Sequence, residues 1–185
     1  MISEREWQQI RQVVANAQRA AMHCSIATVN LKGFPSITPI GTIFLNKKTS
    51  TGFFFDTYST TFCENLQHQP LACIQAMNSS KLFWFHSLLK GKFKRYPGIR
   101  LYAEIGPLHS SSPEEIQQVE SRIRALKWTK GSQLIWSSFH HVREIKINSY
   151  RWVEYPNMNK YNQKLTNSKF ISYLQPRNFF NYFFI

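Results

Sequence analysis

What the sequence lacks narrows it first. No apolar run comes near the roughly 20 residues that a membrane-spanning helix needs. The opening "MISEREWQQIRQVV" mixes charges of both signs and has no apolar core, so it does not read as a secretory signal. The three cysteines, Cys24, Cys63 and Cys73, lie far apart and form no Cys-x-x-Cys. That argues against a disulfide framework or a zinc ribbon and points to a reducing, cytoplasmic setting with three structural thiols. His23, His68, His86, His109, His140 and His141 show no metal-ligand spacing. A phosphate-binding loop, a dinucleotide fingerprint and a nucleophile elbow are all missing. No hydrolase, nucleotide-triphosphatase or zinc-enzyme signature is therefore available to assign the chain.

Acidic residues are also scarce. The 185 residues carry 23 Lys and Arg against 10 Asp and Glu, a net charge of +13. All the acids lie at or before Glu154, and the stretch from Asn157 onward adds only Lys160, Lys164, Lys169 and Arg177. The preceding part keeps 19 of the 23 cations, so the basic character does not come from the end alone. Such a balance favours small anionic ligands, acidic surfaces or nucleic acid as partners. A specific nucleic-acid reader is the weaker expectation, because the aromatics fall inside apolar strands and no recognition motif is present. The length suits one domain with a real core, placed here at residues 1–156. Residues 157–185 form a basic, aromatic extension ending in "NFFNYFFI". Such an ending exposes apolar surface unless it is docked. It reads as an arm swapped onto a partner subunit, as a membrane-touching tail, or as an extension outside the domain proper. No other membrane contact is expected.

What is there is a succession of short elements. Ser3-x-x-Glu6 is a capping box ahead of Trp7, Ile10, Val14, Ala17 and Ala21 at helical spacing, so a helix is expected up to Met22. "CSIATVNL" and "SITPIGTIFL" read as strands joined at Lys32-Gly33, with Pro39 restricted to an edge or a bulge. "GFFF" is a third strand. Thr61-x-x-Glu64 reads as a second capping box, with a helix from Phe62 to just before Pro70. "LACIQAM", "KLFWFHSLL" and "IRLYAEIGPL" are read as the fourth, fifth and sixth strands. Ser112-Pro113-x-Glu115 caps a third helix, and "VREIKINSYRWVEY" closes the domain as a seventh strand. The sum is an α+β fold: a small antiparallel split β-barrel of six or seven strands with about three flanking helices.

One turn carries chemistry. "DTYSTTFCENL" follows the GFFF strand and enters a helix with Thr57, Tyr58, Ser59, Thr60 and Thr61 in a row. A helix N-terminus with hydroxyls suits a phosphate, although no Lys or Arg stands beside it. Asp56 would repel a phosphate, so it is expected to cap backbone N–H groups or to point away. The loop "KGKFKRYPGIR" holds Lys90, Lys92, Lys94, Arg95 and Arg100 without an acid. It is read either as a solvated basic loop or as the source of the missing cations.

The order of segments resembles the pyridoxamine 5′-phosphate oxidase-like family, the flavin mononucleotide (FMN)-binding split barrels. The residues that carry the resemblance are "IATVNLKGFPSITPI", "FFFDTYSTTFCENLQHQPLACI", "RLYAEIGPL" and "VREIKI", together spanning about Ala20 to Tyr155. The block "GKFKRYPGIRLYAEIGP" with the helix after it is similar to a subgroup bearing an inserted loop and helix. The resemblance implies a homodimer, with FMN in the groove between subunits and an oxidoreductase acting on a small, anionic substrate. It implies cofactor contacts from Ser36 and Thr38 and from the turn residues Thr57, Ser59, Thr60 and Thr61. Such proteins commonly carry a Ser-Arg-Lys-like triplet before the helix. Here Thr60, Thr61 and Phe62 stand in those places, so both cations are gone. Arg95, Arg100, Arg151 and Trp84 are the candidates to compensate or to face the flavin. Trp152 is a further candidate, but Trp84 and Trp152 are read first as core, and Ser36 and Thr38 have the alternative reading of plain outward positions of a barrel strand. The alternative is a flavin-free or weakly flavin-binding split barrel that holds another ligand such as heme.

Overall fold

Ser3 does open the first helix. Its hydroxyl accepts the Glu6 N–H, and the Glu6 carboxylate accepts the Ser3 N–H in return. Helix α1 (Glu4–Ala21) buries Trp7, Ile10, Val13, Val14 and Ala17 on one stripe and ends at Met22 in the left-handed region. The computed structural model describes residues 2–56, 60–124, 127–131, 139–155 and 158. Thr57 and Ser59, and all of the extension except Met158, lie outside the described residues.

The strands are β1 (Cys24–Val29), β2 (Pro35–Ile40), β3 (Phe44–Leu45), β4 (Thr51–Phe55), β5 (Leu71–Met77), β6 (Gly98–Ser110) and β7 (His141–Val153). They form one antiparallel sheet in the order β2-β1-β5-β6-β7-β4-β3. Asn30 and Gly33 make the first hairpin. The Asn30 side chain accepts the Lys32 and Phe34 N–H groups, and Gly33 takes the positive φ of 83° that a side chain would resist. Pro39 sits on the edge strand β2 opposite Ser25, where its missing N–H costs no ladder bond. The second strand is shorter than its sequence suggests. It breaks at Gly41 and resumes as β3, because Thr42 uses its hydroxyl to bond the Phe55 backbone.

The core follows from alternation. Cys24, Ile26, Ile74, Ala76, Ile99, Leu101, Ala103, Ile145 and Ile147 face inward and pack under α1. Each large apolar side chain buried in this way contributes about 1.5–3 kcal/mol. The unbroken GFFF run is explained by burial on both faces. Phe54 joins the main core, while Phe53 and Phe55 join a second cluster with Phe44, Val142, Val119 and Ile123. The last two come from helix α4 (Pro113–Ile123), whose Ser112/Glu115 box forms as read.

Two assignments need correction. Helix α2 (Thr60–His68) starts two residues early, so Thr61 lies within it and does not cap it. "KLFWFHSLL" is helix α3 (Lys81–Leu89), not a strand. Ser80 accepts the Phe83 N–H at its start. At its end the Gly91 N–H bonds the Leu88 carbonyl and the Lys92 N–H bonds the Ser87 carbonyl, with Gly91 at φ 57°. That pair of bonds is the Schellman ending, for which glycine is preferred. The described residues thus hold seven strands and four helices.

Candidate functional site

Helix α2 joins the end of β4 to the start of β5 and bridges toward β1 and β2. Phe62 is buried on Phe54, with ring centroids 5.7 Å apart, so this position of the helix belongs to the core. One turn of helix beyond Thr61, Asn65 is buried on the same stripe as Phe62 and Leu66. Its amide donates to the Thr28 hydroxyl at 3.0 Å and to the Ser36 hydroxyl at 2.9 Å. These two hydroxyls are themselves 3.1 Å apart. Both accept from Asn65, so one hydroxyl proton bridges the pair and the other is left over. Thr28 is fully buried and Ser36 is not. The arrangement that strands no buried donor has Thr28 donating to Ser36, and Ser36 donating outward. Ser36 is therefore preset as a donor, with Thr38 two residues along the same face of β2.

Asp56 closes the strand before the turn, with its N–H on the His141 carbonyl. Its carboxylate Oδ2 accepts from the Arg143 Nε at 2.6 Å and from the Cys63 thiol at 3.2 Å. Arg143 also donates to the Gly106 carbonyl, where β6 bulges. Both partners of the pair are buried. Burial alone would pull the Arg143 pKa down. The bonds to Asp56 and Cys63 and the Asp56 charge outweigh it and raise it. Burial, then the bond to Asp56, pushes the Cys63 thiol up as well, away from reactivity. Burial drives Cys24 up to about 12 against the opposing charge of Arg122.

The expected site residues fall into two groups. Thr60 and Thr61 lie on α2 with Ser36 bonded beside it, whereas Thr38 lies in the row of Ile26, Ile74 and Leu101, next to that of Arg100. Trp84, Arg95, Arg100 and Arg151 lie at the other end of β6 and β7, and eight residues separate Arg143 from Arg151. At the rise of a strand that is roughly 25 Å. Arg100 and Arg151 face each other across β6 and β7. They continue the row of Gln75, Ser25 and Pro39, on the opposite face of the sheet from Ser36 and Thr38. Within one chain neither they nor the basic loop serve the α2 turn. Trp84 sits on α3, where its indole N–H bonds the Asn78 carbonyl at 2.7 Å and its ring meets Phe93 and Tyr155 edge-on. Trp152 stacks on Tyr96 at 4.3 Å.

A cavity of about 360 Å³ adjoins the β2–β3 connection, lined by Gln18, Arg19, Met22, Thr42, Arg122 and Ile123 among others. Its two arginines meet no acid in the lining. Arg122 lies over the Phe44 ring at 3.6 Å and donates to the Ile43 carbonyl. Among the described residues no group of His, Cys, Asp and Glu is placed to hold a metal ion. No helix among them is long and apolar enough to cross a membrane.

The sequence signals for the unanticipated residues were present. Arg143, Ile145 and Ile147 alternate, which puts an arginine on an apolar face and demands an acid. Asn65 interrupts the stripe of Phe62 and Leu66 in the same way.

No protein-family model matches the chain, and no curated protein matches it. Solved structures do. An FMN-binding protein from Syntrophomonas wolfei subsp. wolfei superposes with a TM-score of 0.56 at 13% identity, over 80% of this chain and 88% of that one. HupZ of Group A Streptococcus superposes with a TM-score of 0.52 at 14% identity, over 83% of this chain and 94% of that one. At these identities the superpositions show a shared fold. For an FMN phosphate, the α2 end presents hydroxyls and the positive end of a helix. Arg143, bound to the residue that precedes the turn, is already neutralised by Asp56. The residues fit a phosphate held by hydrogen bonds, not by a salt bridge.

Proposed function

We propose that the protein is an FMN-dependent oxidoreductase acting on a small anionic substrate, working as a homodimer. The observation that carries the reading is the Thr28–Ser36–Asn65 node. On a fold shared with an FMN-binding protein, it presets Ser36 as a donor beside the middle of α2. Thr60 and Thr61, with the backbone N–H groups of the first turn of α2, would take the phosphate. Thr57 and Ser59 belong to the same turn, and Ser36 and Thr38 would meet the ribityl chain. Bound flavin supplies the redox chemistry, and the chain supplies position and electrostatics. The two arginines of the cavity beside Thr42 suit an anionic substrate.

The dimer is supported by the outer face of the sheet, where Val29, Phe34, Ile37 and Leu71 are exposed together at the β1–β2 hairpin and β5. A second subunit on that face is what would carry Arg100 and Arg151, or Arg95 and Trp84, toward the α2 turn. The visible spectrum before and after adding FMN, followed through gel filtration, tests the reading. Flavin bands that stay with the protein, and weaken in Ser36→Ala, are expected. A colourless protein that retains no added flavin would end the oxidoreductase reading.

A second reading has an observation of its own. Arg143 is committed to Asp56, so the turn has no uncompensated cation among the described residues. That favours a split barrel that has given up tight flavin binding for another ligand such as heme. A Soret band on titration with hemin, in a protein that ignores FMN, is its expected outcome.

A further inference from the structure

Helix α3 hides its smaller face and shows its more apolar one. Phe83, Trp84 and Ser87 turn inward: Phe83 stacks on Phe93 at 5.8 Å, and Ser87 is buried. Leu82, Phe85, Leu88 and Leu89 turn outward and are 72%, 58%, 64% and 70% exposed. At 3.6 residues per turn these four fill one arc of about 120°. Only Lys81 falls within it, at the helix start, where a long side chain can lift its charge clear.

The edge of this arc is cationic. Leu82, His86 and Lys90 follow one another up the helix and border a groove of about 410 Å³ whose other wall includes Lys92, Lys94 and Arg95. The chain has no acidic residue between Glu64 and Glu104. Lys127–Glu120 and Arg143–Asp56 are ion pairs among the described residues, and Lys81, Lys90, Lys94 and Arg95 enter neither. An apolar arc beside Lys81, Lys90, Lys94 and Arg95, which enter neither ion pair, needs a partner that is both anionic and apolar.

Three surfaces can be weighed. Nucleic acid would neutralise the collar but leave three leucines and a phenylalanine uncovered. A second copy on a two-fold axis would bury the apolar arc but set each collar against its own copy, on a chain already at +13. An acidic bilayer meets both needs, with headgroups for the cations and the acyl boundary for the side chains. We infer that α3 and the loop of residues 90–95 form a docking face for an anionic lipid surface, with the helix axis in the plane of the headgroups. Read as a strand, this segment gave no such sign, and membrane contact was expected only from the tail.

Cosedimentation of the full chain with vesicles tests this, using phosphatidylcholine with and without phosphatidylserine. Binding is expected only to the acidic vesicles, and it should fall as salt is added. Lys90→Gln with Lys94→Gln should weaken it about fivefold per cation removed. Leu82→Gln with Leu89→Gln should weaken it by about tenfold or more. Both double variants alter exposed side chains, so far-ultraviolet circular dichroism and melting should match the parent. Equal binding to both vesicle types, or none to either, would overturn the proposal. So would binding that survives both double variants, because the contact would then lie in residues 157–185. A leucine variant that turns a dimer into a monomer in sedimentation velocity would make α3 a subunit contact instead. Duplex DNA bound more tightly than vesicles, and lost with the lysines but not the leucines, would make the partner nucleic acid.

Discussion

The two ends of β6 and β7 solve the problem of charge in opposite ways. At the α2 end a buried carboxylate and guanidinium neutralise each other, a buried amide satisfies two hydroxyls, and apolar side chains are sealed in. At the α3 end Lys81, Lys90, Lys94 and Arg95 enter neither ion pair, and large apolar side chains face water. The first end is fixed by internal partners and leaves little for a ligand except hydrogen-bond donors. The second leaves its strongest groups unmatched and depends on something outside the chain to match them. A chain that is basic overall has therefore not put its charge where its fold would hold a phosphate.

The comparison breaks most sharply at Arg143. Arg143→Met should leave Asp56 buried and unpaired and cost about 3–5 kcal/mol in a urea titration. Arg143→Met combined with Asp56→Leu should recover much of that loss, since both charges then go together. If the single variant is as stable as the parent, the α2 end is not held by this pair. Asn65→Ala comes next. It strips a donor from Thr28 and Ser36 and should cost about 1–3 kcal/mol. It should also cut FMN retention if Ser36 is the donor proposed, and gel filtration with flavin reads this separately from melting. At the other end Trp84→Phe removes the bond to the Asn78 carbonyl while keeping an aromatic body. A loss of about 1 kcal/mol is expected, seen as a shift in the denaturation midpoint.

Acidity offers a smaller test. Bonds to the Ser3 side chain and backbone, then to the Tyr150 hydroxyl at 2.8 Å, lower the Glu6 pKa from its ordinary 4.5 to about 2. A carboxylate lowered on folding stabilises the fold above its unfolded pKa and loses that contribution as pH falls through its folded value. The docking of α1 on β7 should therefore weaken between about pH 4.5 and 2. Tyr150→Phe should shallow that slope in melts taken across this range.

Much of the architecture was legible in the residues. The Ser3 and Ser112 boxes, the Asn30–Gly33 turn, the edge position of Pro39 and the doubly buried GFFF run are local signals, and local interactions decide them. The α3 segment reads ambiguously because a short, apolar-rich stretch such as KLFWFHSLL suits a buried strand and a helix alike. Ser80 ahead of it and Gly91 behind it were the caps that distinguish the two. The site was less legible, since its key pairings span the chain. Arg143 finds Asp56 across 87 residues, and Asn65 finds Thr28 across 37. The hydroxyl turn pointed to a phosphate ligand in the sequence, and only register revealed that Arg100 and Arg151 lie on the opposite face of the sheet from Ser36 and Thr38.

The smallest effect sharpens the comparison furthest. Phe85→Gln removes a large apolar side chain, and at the α2 end such a loss, as in Phe62→Ala, would cost about 3–5 kcal/mol. Phe85 is exposed, so the folded state gains little from it over the unfolded chain, and the change should stay within about 0.5 kcal/mol by urea denaturation. A larger loss would mean that Phe85 is covered in the free protein, by the chain's own extension or by a second subunit. A loss that grows with protein concentration identifies the subunit. A loss independent of concentration that vanishes when residues 159–185 are removed identifies the extension.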